Sequence, residues 1–222
     1  MFALLDLNDP TGLAWRVGVA YLLGAVPFGL LMCRLIKGVD LREEGSGNIG
    51  ATNAMRVLGK PLGILAFLFD VGKGYAPVAL LAGSDPLWQV ACGTGAVCGH
   101  VWPLYLRFKG GKAVATGYGV MLAIQPMIPL YAGLAWLLSL LVFGYVSLSS
   151  LVMGLAFPAA AWGLHEPGVV IAGTGGLTLL IWVRHRSNIL RLLAGTEART
   201  QLWNKLRKSA VESTDTDAVK HD

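Results

Sequence analysis

Long apolar segments separated by short polar or glycine-rich loops are the feature that most restricts the fold of this chain. The apolar segments comprise residues 13–36, 61–83, 87–106, 113–145, 146–164 and 169–183. They approach or exceed the roughly 20 residues that a helix needs to cross the hydrocarbon core of a bilayer. Only 14% of the residues are charged, against about 25% in an average soluble domain. The sequence therefore predicts an all-α, polytopic membrane protein.

The segment of residues 113–145 is too long for one ordinary span. Gln125, Pro126 and Pro129 interrupt its apolar pattern. We interpret it as two spans joined by a short outer turn, the first span being short. The chain then has seven transmembrane helices.

Basic loop residues predict the orientation of these helices. In a seven-helix arrangement one side collects Arg34, Lys37, Arg42, Arg107, Lys109, Lys112, Arg184, Arg186 and Arg191. The other side has only Arg16, near the first span. Because positive residues concentrate in short cytoplasmic loops, we expect the N-terminus outside and the C-terminus in the cytoplasm. Six helices would place the basic residues 184–208 opposite the other basic loops.

We expect one integral-membrane domain over residues 1–208. Its last part, residues 184–208, is basic and amphipathic and is predicted to lie along the membrane surface. Residues 209–222 are polar and aperiodic and are predicted to form a disordered tail. The three cysteines lie in apolar segments without metal-ligand spacing. We interpret them as packing residues, and we expect neither a metal nor a cofactor.

The first polar loop has the composition of an anion-binding site. Residues 45–56 read GSGNIGATNAMR. Glycines allow successive N–H groups to approach an anion, the hydroxyls of Ser46 and Thr52 add donors, and the Arg56 guanidinium matches phosphate geometry. Thr52 or Asn53 could also cap the helix that follows. A flexible loop with a helix cap fits the same residues, so both interpretations stay open at this point.

The second polar loop repeats this pattern. Residues 107–116 read RFKGGKAVAT, so Gly110 and Gly111 precede a predicted helix and lie between Lys109 and Lys112. The spacing is not that of an ATP-binding P-loop, and no strand is predicted before it. The pattern fits a second phosphate site and equally a positively charged loop that contacts lipid head groups.

Two further polar clusters follow at the predicted cytoplasmic ends of later spans. Ser149 and Ser150 end the run SLSS, which can equally cap a helix. His185 and Asn188 are three positions apart and share a helix face, and Glu197 is one of few carboxylates predicted on this side. A lone histidine is more often structural, so the role of this cluster also stays open.

Asp70 and Lys73 fall inside the second apolar segment. Their i, i+3 spacing lets them neutralise each other on a helix, as charges inside a membrane generally must. We expect a structural ion pair rather than a contact with substrate.

Taken together, these blocks resemble the bacterial integral-membrane glycerol-3-phosphate acyltransferases that use acyl phosphate as donor. The resemblance rests on residues 45–56, 100–116, 147–150 and 185–197, and Asp40, Arg42 and residues 70–74 also resemble family features. It covers essentially the whole chain except the tail. Ala113 departs from the family pattern, which usually has glycine at that position. The resemblance implies lysophosphatidic acid (1-acyl-glycerol-3-phosphate) and inorganic phosphate as products, in the first acylation step of phospholipid synthesis. It also implies a multi-pass protein of the inner (cytoplasmic) membrane with a cytoplasmic active site.

The resemblance and the loop chemistry give a hypothesis for the site. The catalytic set is Ser46, Arg56, Lys112, His185 and Asn188. The substrate-binding set is Asn48, Thr52, Asn53, Lys109, Gly110, Gly111, Ser149, Ser150, Arg191 and Glu197. The glycerol-3-phosphate is assigned to Arg56, Lys112 and Ser46, with Asn188 completing the pocket. The acyl phosphate is assigned to Lys109, Ser149, Ser150 and the amides of the second loop. Either His185 or a substrate phosphate takes the proton of the attacking hydroxyl.

The expected partners follow from the same hypothesis. They are glycerol-3-phosphate, acyl phosphate, membrane lipid and, transiently, the enzyme that makes acyl phosphate; no nucleic acid is expected. None of the four histidines has an aspartate five residues later, so the His–Asp pair of soluble-type acyltransferases is absent. A transporter for a phosphorylated solute is the other function considered. Transporters place their sites near the membrane midplane between repeated halves, and no such repeat is visible.

Overall fold

Helices account for all regular structure in residues 10–200 and 203, the part of the chain that the computed structural model describes. In chain order they are α1 (Pro10–Gly24), α2 (Phe28–Lys37), α3 (Ala51–Leu58), α4 (Lys60–Leu81), α5 (Pro86–Val101), a 3-10 turn (Leu104–Leu106), α6 (Val114–Ile124), α7 (Met127–Phe143), α8 (Val146–Gly163), α9 (Gly168–Arg184) and α10 (Arg186–Leu193). Within these residues there is no strand. The predicted all-α class is confirmed.

Several of these helices are long and apolar enough to cross a bilayer. They are Gly12–Lys37, Lys60–Leu81 and Val146–Gly163. The first of these covers most of α1 and all of α2. The pair α9 and α10, bent by 62°, adds a fourth if it is counted as one span. The helices α6 and α7 are apolar but shorter. The predicted break near Gln125 is present between them, and the total of seven spans stays a prediction.

The first predicted span, residues 13–36, agrees with the candidate span Gly12–Lys37, but it contains a break between two helices. α1 ends at Gly24 and α2 begins at Phe28, with Pro27 between them. Proline has no N–H to continue the helical pattern. The Val26 carbonyl beside the break accepts a hydrogen bond from Lys73 Nζ at 2.9 Å. The sequence pattern missed this break because the residues around it are uniformly apolar.

Lys73 also pairs with Asp70, as the spacing predicted. The two charged groups are 2.5 Å apart, and each side chain is only 3% exposed. A buried charge without a partner is strongly destabilising. The pair therefore neutralises two charges inside the bundle. Its lysine also donates the hydrogen bond to the Val26 carbonyl beside the break in the first span.

Glycine residues allow close backbone contact in two helix pairings, α1 with α5 and α4 with α6. A Cβ atom on Gly99 of α5 would collide with the Tyr21 carbonyl oxygen of α1. A Cβ atom on Gly119 of α6 would collide with the Val71 carbonyl oxygen of α4. Small residues allow membrane helices to approach so closely that their backbones are in contact. These two pairs form the centre of the bundle, and α7, α8 and α9 pack beside them.

The turns between helices gather at opposite ends of the bundle. At one end, Gln125 before α7 donates to the Glu166 carboxylate before α9, at 3.0 Å. At the other end, Lys37 donates to the Val57 carbonyl, and the Thr200 N–H donates to the carbonyl of Gly144, between α7 and α8. We call this second end, where residues 38–50, 102–113 and 185–200 meet, the basic end.

The segment after α9, expected to be basic and amphipathic over residues 184–208, forms a short helix and a turn in its described part. α10 stops at Leu193, and Gly195 takes a left-handed conformation with φ +70°. The N–H groups of Thr196 and Glu197 then donate back to the Arg191 carbonyl. The chain reverses and returns Glu197 to the basic end. The predicted tail, residues 209–222, lies outside the described residues.

Candidate active site

Asn53 organises the first polar loop from inside the protein. Its side chain is 2% exposed, its Oδ1 accepts from the Ser46 N–H at 2.9 Å, and its Nδ2 donates to the carbonyls of Leu41 and Glu44. The N-cap of α3 is Gly50, with no side-chain cap. The expectation that Thr52 or Asn53 caps this helix is therefore wrong, because both lie within it. Asn53 is placed to shape the loop rather than to contact a ligand.

The exposed face of the same loop presents donors. Ser46, Thr52 and Arg56 are exposed. Asn48 closes a local turn instead, because its Oδ1 accepts from the Gly50 N–H at 2.9 Å.

Asp40 fixes the arginine that precedes this loop. Its carboxylate accepts from Arg42 at 2.6 Å and from Arg34 at 2.5 Å. The hydrogen bonds from the Arg42 side chain and backbone hold the pKa of Asp40 well below its usual range. Asp40 is thus ionised and holds the Arg42 guanidinium beside the loop.

The second polar loop turns back onto the end of α5. The Gly110 N–H donates to the Val101 carbonyl at 3.2 Å, and the Gly111 N–H donates to the His100 carbonyl at 3.0 Å. A Cβ atom on Gly111 would collide with the His100 imidazole. The hypothesis that these two amides bind a substrate anion needs correction, because both N–H groups are already used. The glycines permit close packing instead.

Backbone strain is concentrated in this loop. Arg107, Phe108 and Ala113 have positive φ values of 50°, 62° and 63°, a region that costs a non-glycine residue about 1–2 kcal/mol. Ala113 is the position where the family resemblance leads one to expect glycine. Strain of this kind is typical of functional loops whose surroundings fix the backbone.

A cleft lies between the two polar loops at the basic end. It has a volume of about 310 Å3 and is lined by Arg42, Gly47, Ile49, Phe108, Lys109, Gly110 and Arg184. Three of these residues are cations, which suits an anionic ligand. Lys109 and Gly110 were expected to bind substrate, whereas no binding role was predicted for Arg42 or Arg184, because nothing in their spacing shows that they meet.

A chain of hydrogen bonds joins the second loop to the segment after α9. Lys112 Nζ donates to Asn188 Oδ1 at 2.5 Å, Asn188 Nδ2 donates to Glu197 Oε1 at 2.7 Å, and Arg191 Nε donates to Glu197 Oε2 at 2.6 Å. Four residues chosen from the sequence are thereby brought into direct contact. Glu197 orients the Asn188 amide and neutralises Arg191.

The protonation of Lys112 depends on its burial and on several neighbouring charges. Burial lowers the pKa of Lys112 to about 8; Glu197 raises it, and Arg191, Arg56 and Arg184 lower it further. The exposed Arg56 of the first loop therefore lies within electrostatic range of Lys112. Burial alone would raise the pKa of Glu197, but the neighbouring Ser147, Asn188 and Arg191 lower it below its ordinary value. The cluster thus holds a carboxylate among several cations.

His185 is buried at the corner between α9 and α10, with 3% of its surface exposed. Its Nδ1 lies 2.8 Å from the Ile181 carbonyl oxygen. Because a carbonyl only accepts, Nδ1 carries the hydrogen, and Nε2 of the neutral ring is left as an acceptor.

The serine cluster at the start of α8 is turned inward. Ser149 donates to the Tyr145 carbonyl and Ser150 to the Val146 carbonyl, each at 2.9 Å, and both side chains are buried. In this arrangement their protons are not available to a substrate. Ser147, for which no individual role was predicted, is the serine beside Glu197.

The fold and the cleft define an integral membrane protein with a cation-rich site at one end of a helix bundle. Residues 14–195 match the family model described as glycerol-3-phosphate acyltransferase. The chain belongs to this family.

Curated relatives and solved structures agree with the family assignment. The chain is 46% identical to a glycerol-3-phosphate acyltransferase of Dinoroseobacter shibae over 87% of this chain and 96% of the relative, and 44% identical to one of Trichlorobacter lovleyi over 85% and 97%. It is similar to crystal structures of PlsY (YgiH), an integral membrane glycerol 3-phosphate acyltransferase, at 39% identity. The glycerol 3-phosphate form gives a TM-score of 0.81 over 87% of this chain and 98% of the other. The lysophosphatidic acid form gives 0.78 over 84% and 94%.

Proposed function

We propose that this protein transfers a fatty-acyl group from acyl phosphate to the sn-1 hydroxyl of glycerol-3-phosphate. The products are 1-acyl-glycerol-3-phosphate and inorganic phosphate, in the first acylation step of phospholipid synthesis. The observation that carries the proposal is the meeting of both polar loops with Arg184, Asn188 and Glu197 at one end of the bundle. Two phosphate-bearing substrates require such a concentration of cations and donors, held in place before they bind. The titles of the similar solved structures name the acceptor and the product.

In this proposal the acceptor phosphate binds between the first loop and Lys112. Arg56 and Lys112 supply positive charge, and Ser46 supplies a hydroxyl donor. Asn188 holds the Lys112 ammonium, and Glu197 holds Asn188. Lys112 and Arg56 are close enough for Arg56 to influence the pKa of Lys112, which supports binding of one dianion between them.

The donor phosphate is assigned to the cleft, where Arg42 and Lys109 provide the charge. Ile49 and Phe108 line the same cleft and offer apolar contact to the first carbons of the acyl chain, whose remainder stays in the bilayer. This replaces the assignment to Ser149, Ser150 and the glycine amides, whose protons are engaged within the protein.

The reaction needs little chemistry beyond positioning, because the mixed anhydride is already activated. The acceptor hydroxyl oxygen forms a bond to the acyl carbon, and the bond from that carbon to the phosphate oxygen breaks. The phosphate leaves with the bonding electrons, and the cations of the cleft stabilise the added charge. The hydroxyl proton passes to a substrate phosphate, while the neutral His185 Nε2 is available as a hydrogen-bond acceptor for the hydroxyl.

The proposal includes a membrane arrangement. One domain of seven spans, with the N-terminus outside and the C-terminus inside, lies in the bacterial inner membrane with its site on the cytoplasmic face. The basic loop residues gather at the end that holds the site, which supports this orientation. We include a transient contact with the enzyme that makes acyl phosphate, because direct transfer protects a reactive anhydride from hydrolysis.

Purified protein in lipid nanodiscs tests the proposal directly. Glycerol-3-phosphate is supplied with either palmitoyl phosphate or palmitoyl-CoA, and the acylated product and released phosphate are measured. We expect product and phosphate in equal amounts from palmitoyl phosphate and none from palmitoyl-CoA. Turnover with the thioester alone would refute the proposed donor. Uptake of labelled glycerol-3-phosphate into proteoliposomes without ester formation would instead favour the transporter.

A further inference from the structure

Arg184, the last residue of α9, binds two consecutive carbonyls of the second polar loop. Its Nε donates to the Gly111 oxygen at 3.1 Å, and its NH2 group donates to the Gly110 oxygen at 2.9 Å. The N–H groups of the same glycines donate to carbonyls at the end of α5. This glycine turn is therefore held on both sides, by α5 and by α9.

The next residue of the loop is the lysine of the acceptor site. Lys112 follows Gly111 directly and reaches Asn188 on α10. Residues 110–112 thus make three successive contacts with the corner where α9 and α10 meet at 62°. The position of the Lys112 backbone depends on the glycine turn before it, and Arg184 fixes that turn.

We propose that Arg184 is a positioning residue that acts through the glycine turn to direct Lys112 toward Asn188 and the acceptor phosphate. This inference rests on the proposed function and adds a residue to it. The planar guanidinium presents its N–H groups in a rigid fork, which matches two adjacent carbonyls, whereas a lysine ammonium is a single point on a flexible stem. A lysine at this position keeps the charge but cannot hold both carbonyls in the same way.

The chain supplies a matched control in Arg186. It lies two residues further on, is exposed and carries the same charge. We would compare three variants of the full-length protein: Arg184→Lys, Arg184→Gln and Arg186→Gln. They distinguish the effect of the guanidinium geometry at position 184 from the effect of positive charge. For each variant we would measure kcat, the KM and the binding affinity for glycerol-3-phosphate between pH 6 and pH 10, and the unfolding temperature in nanodiscs.

We expect Arg184→Lys and Arg184→Gln each to lower kcat/KM at least tenfold, and Arg186→Gln to stay within twofold of the wild type. We also expect the loss of glycerol-3-phosphate affinity at alkaline pH, which we call the alkaline fall, to begin at a higher pH in Arg184→Lys. In that variant Lys112 is released and becomes more exposed to solvent, so its pKa returns toward the ordinary value. That shift is not expected from a residue that supports only the general fold.

Two results would overturn the inference. Wild-type kcat/KM in Arg184→Lys would mean that charge alone is needed. A lower unfolding temperature with the alkaline fall unmoved would mean that Arg184 serves the fold and not Lys112. If the wild type turns over neither donor, the proposed function fails, and the pH dependence of glycerol-3-phosphate binding still decides whether Arg184 positions Lys112.

Discussion

Lys112 donates a hydrogen bond to Asn188 across 76 positions of the chain, at 2.5 Å. The orientation of the Asn188 amide follows from its two partners. A lysine ammonium only donates and an ionised glutamate only accepts, so Oδ1 faces Lys112 and Nδ2 faces Glu197. One neutral amide thereby separates a cation from a carboxylate and leaves the remaining lysine protons for a ligand.

Removing this amide should weaken acceptor binding. In Asn188→Ala we expect kcat/KM for glycerol-3-phosphate to fall about 10- to 100-fold, since a hydrogen bond to a charged group is worth about 1.5–3 kcal/mol. Steady-state kinetics with varied glycerol-3-phosphate measures the change. Ser187→Ala, at the exposed neighbouring position, is the control and should match the wild type. Equal behaviour of the two variants would contradict the assigned role of Asn188.

Lys112 should make acceptor binding sensitive to alkaline pH. Its pKa is lowered to about 8, so the side chain is charged below that pH in the free protein and loses its charge as pH rises through it. Because the phosphate of glycerol-3-phosphate is a dianion only above about pH 6, we expect kcat/KM to be level between about pH 7 and pH 8. Above pH 8 it should fall toward tenfold per pH unit. Lys112→Arg stays charged throughout this pH range and should lose this alkaline fall, although its maximum is lower. Persistence of the fall in Lys112→Arg would assign it to another group.

His185→Ala tests which group accepts the hydroxyl proton. General base catalysis by a side chain contributes about 10²- to 10⁴-fold. Because we assign the proton to a substrate phosphate, we expect kcat to fall less than tenfold. His165→Ala, at the opposite end of the bundle, is the control and should leave kcat unchanged. A hundredfold loss with an unchanged unfolding temperature would identify His185 as the base.

Glycine packing between α4 and α6 should limit stability. A methyl group in Gly119→Ala meets the Val71 carbonyl oxygen, and overpacking of this kind costs about 1–3 kcal/mol. We expect a lower unfolding temperature in detergent. In Gly176→Ala of α9 the added methyl has no atom within 4 Å, so we expect stability to stay level or to rise by up to about 1 kcal/mol from helix propensity. Similar stability of both variants would argue against backbone contact between α4 and α6.

The sequence was most informative where a pattern has a direct physical meaning. Apolar runs predicted the main helices, and the ion pair of Asp70 with Lys73 followed from helical spacing. Loop chemistry, together with the family resemblance, selected Lys112, Asn188 and Glu197, which are linked by hydrogen bonds in the structure. These inferences succeed because hydrophobicity and charge are properties of single residues, so they can be read directly from the sequence.

The missed features depend on how distant residues meet. The Arg184 guanidinium binds the carbonyls of Gly110 and Gly111, more than 70 positions earlier in the chain. No local sequence pattern predicts this contact. Asn53 was taken for a ligand contact because its amide can bind either substrate or backbone. The amides of the two glycines were assigned to an anion because the return of the loop onto α5 cannot be read from composition.

The length of α6 determines the depth at which the site lies. The outer ends of α6 and α8 are kept level by the hydrogen bond between Gln125 and Glu166, yet α6 has 11 residues and α8 has 18. At about 1.5 Å per residue, α6 is therefore roughly 10 Å shorter than α8. We expect the loop before α6 to start below the rim of the bundle. In the proposed reaction the water-soluble acceptor then enters from the aqueous side, and the lipid-like donor enters sideways from the hydrocarbon.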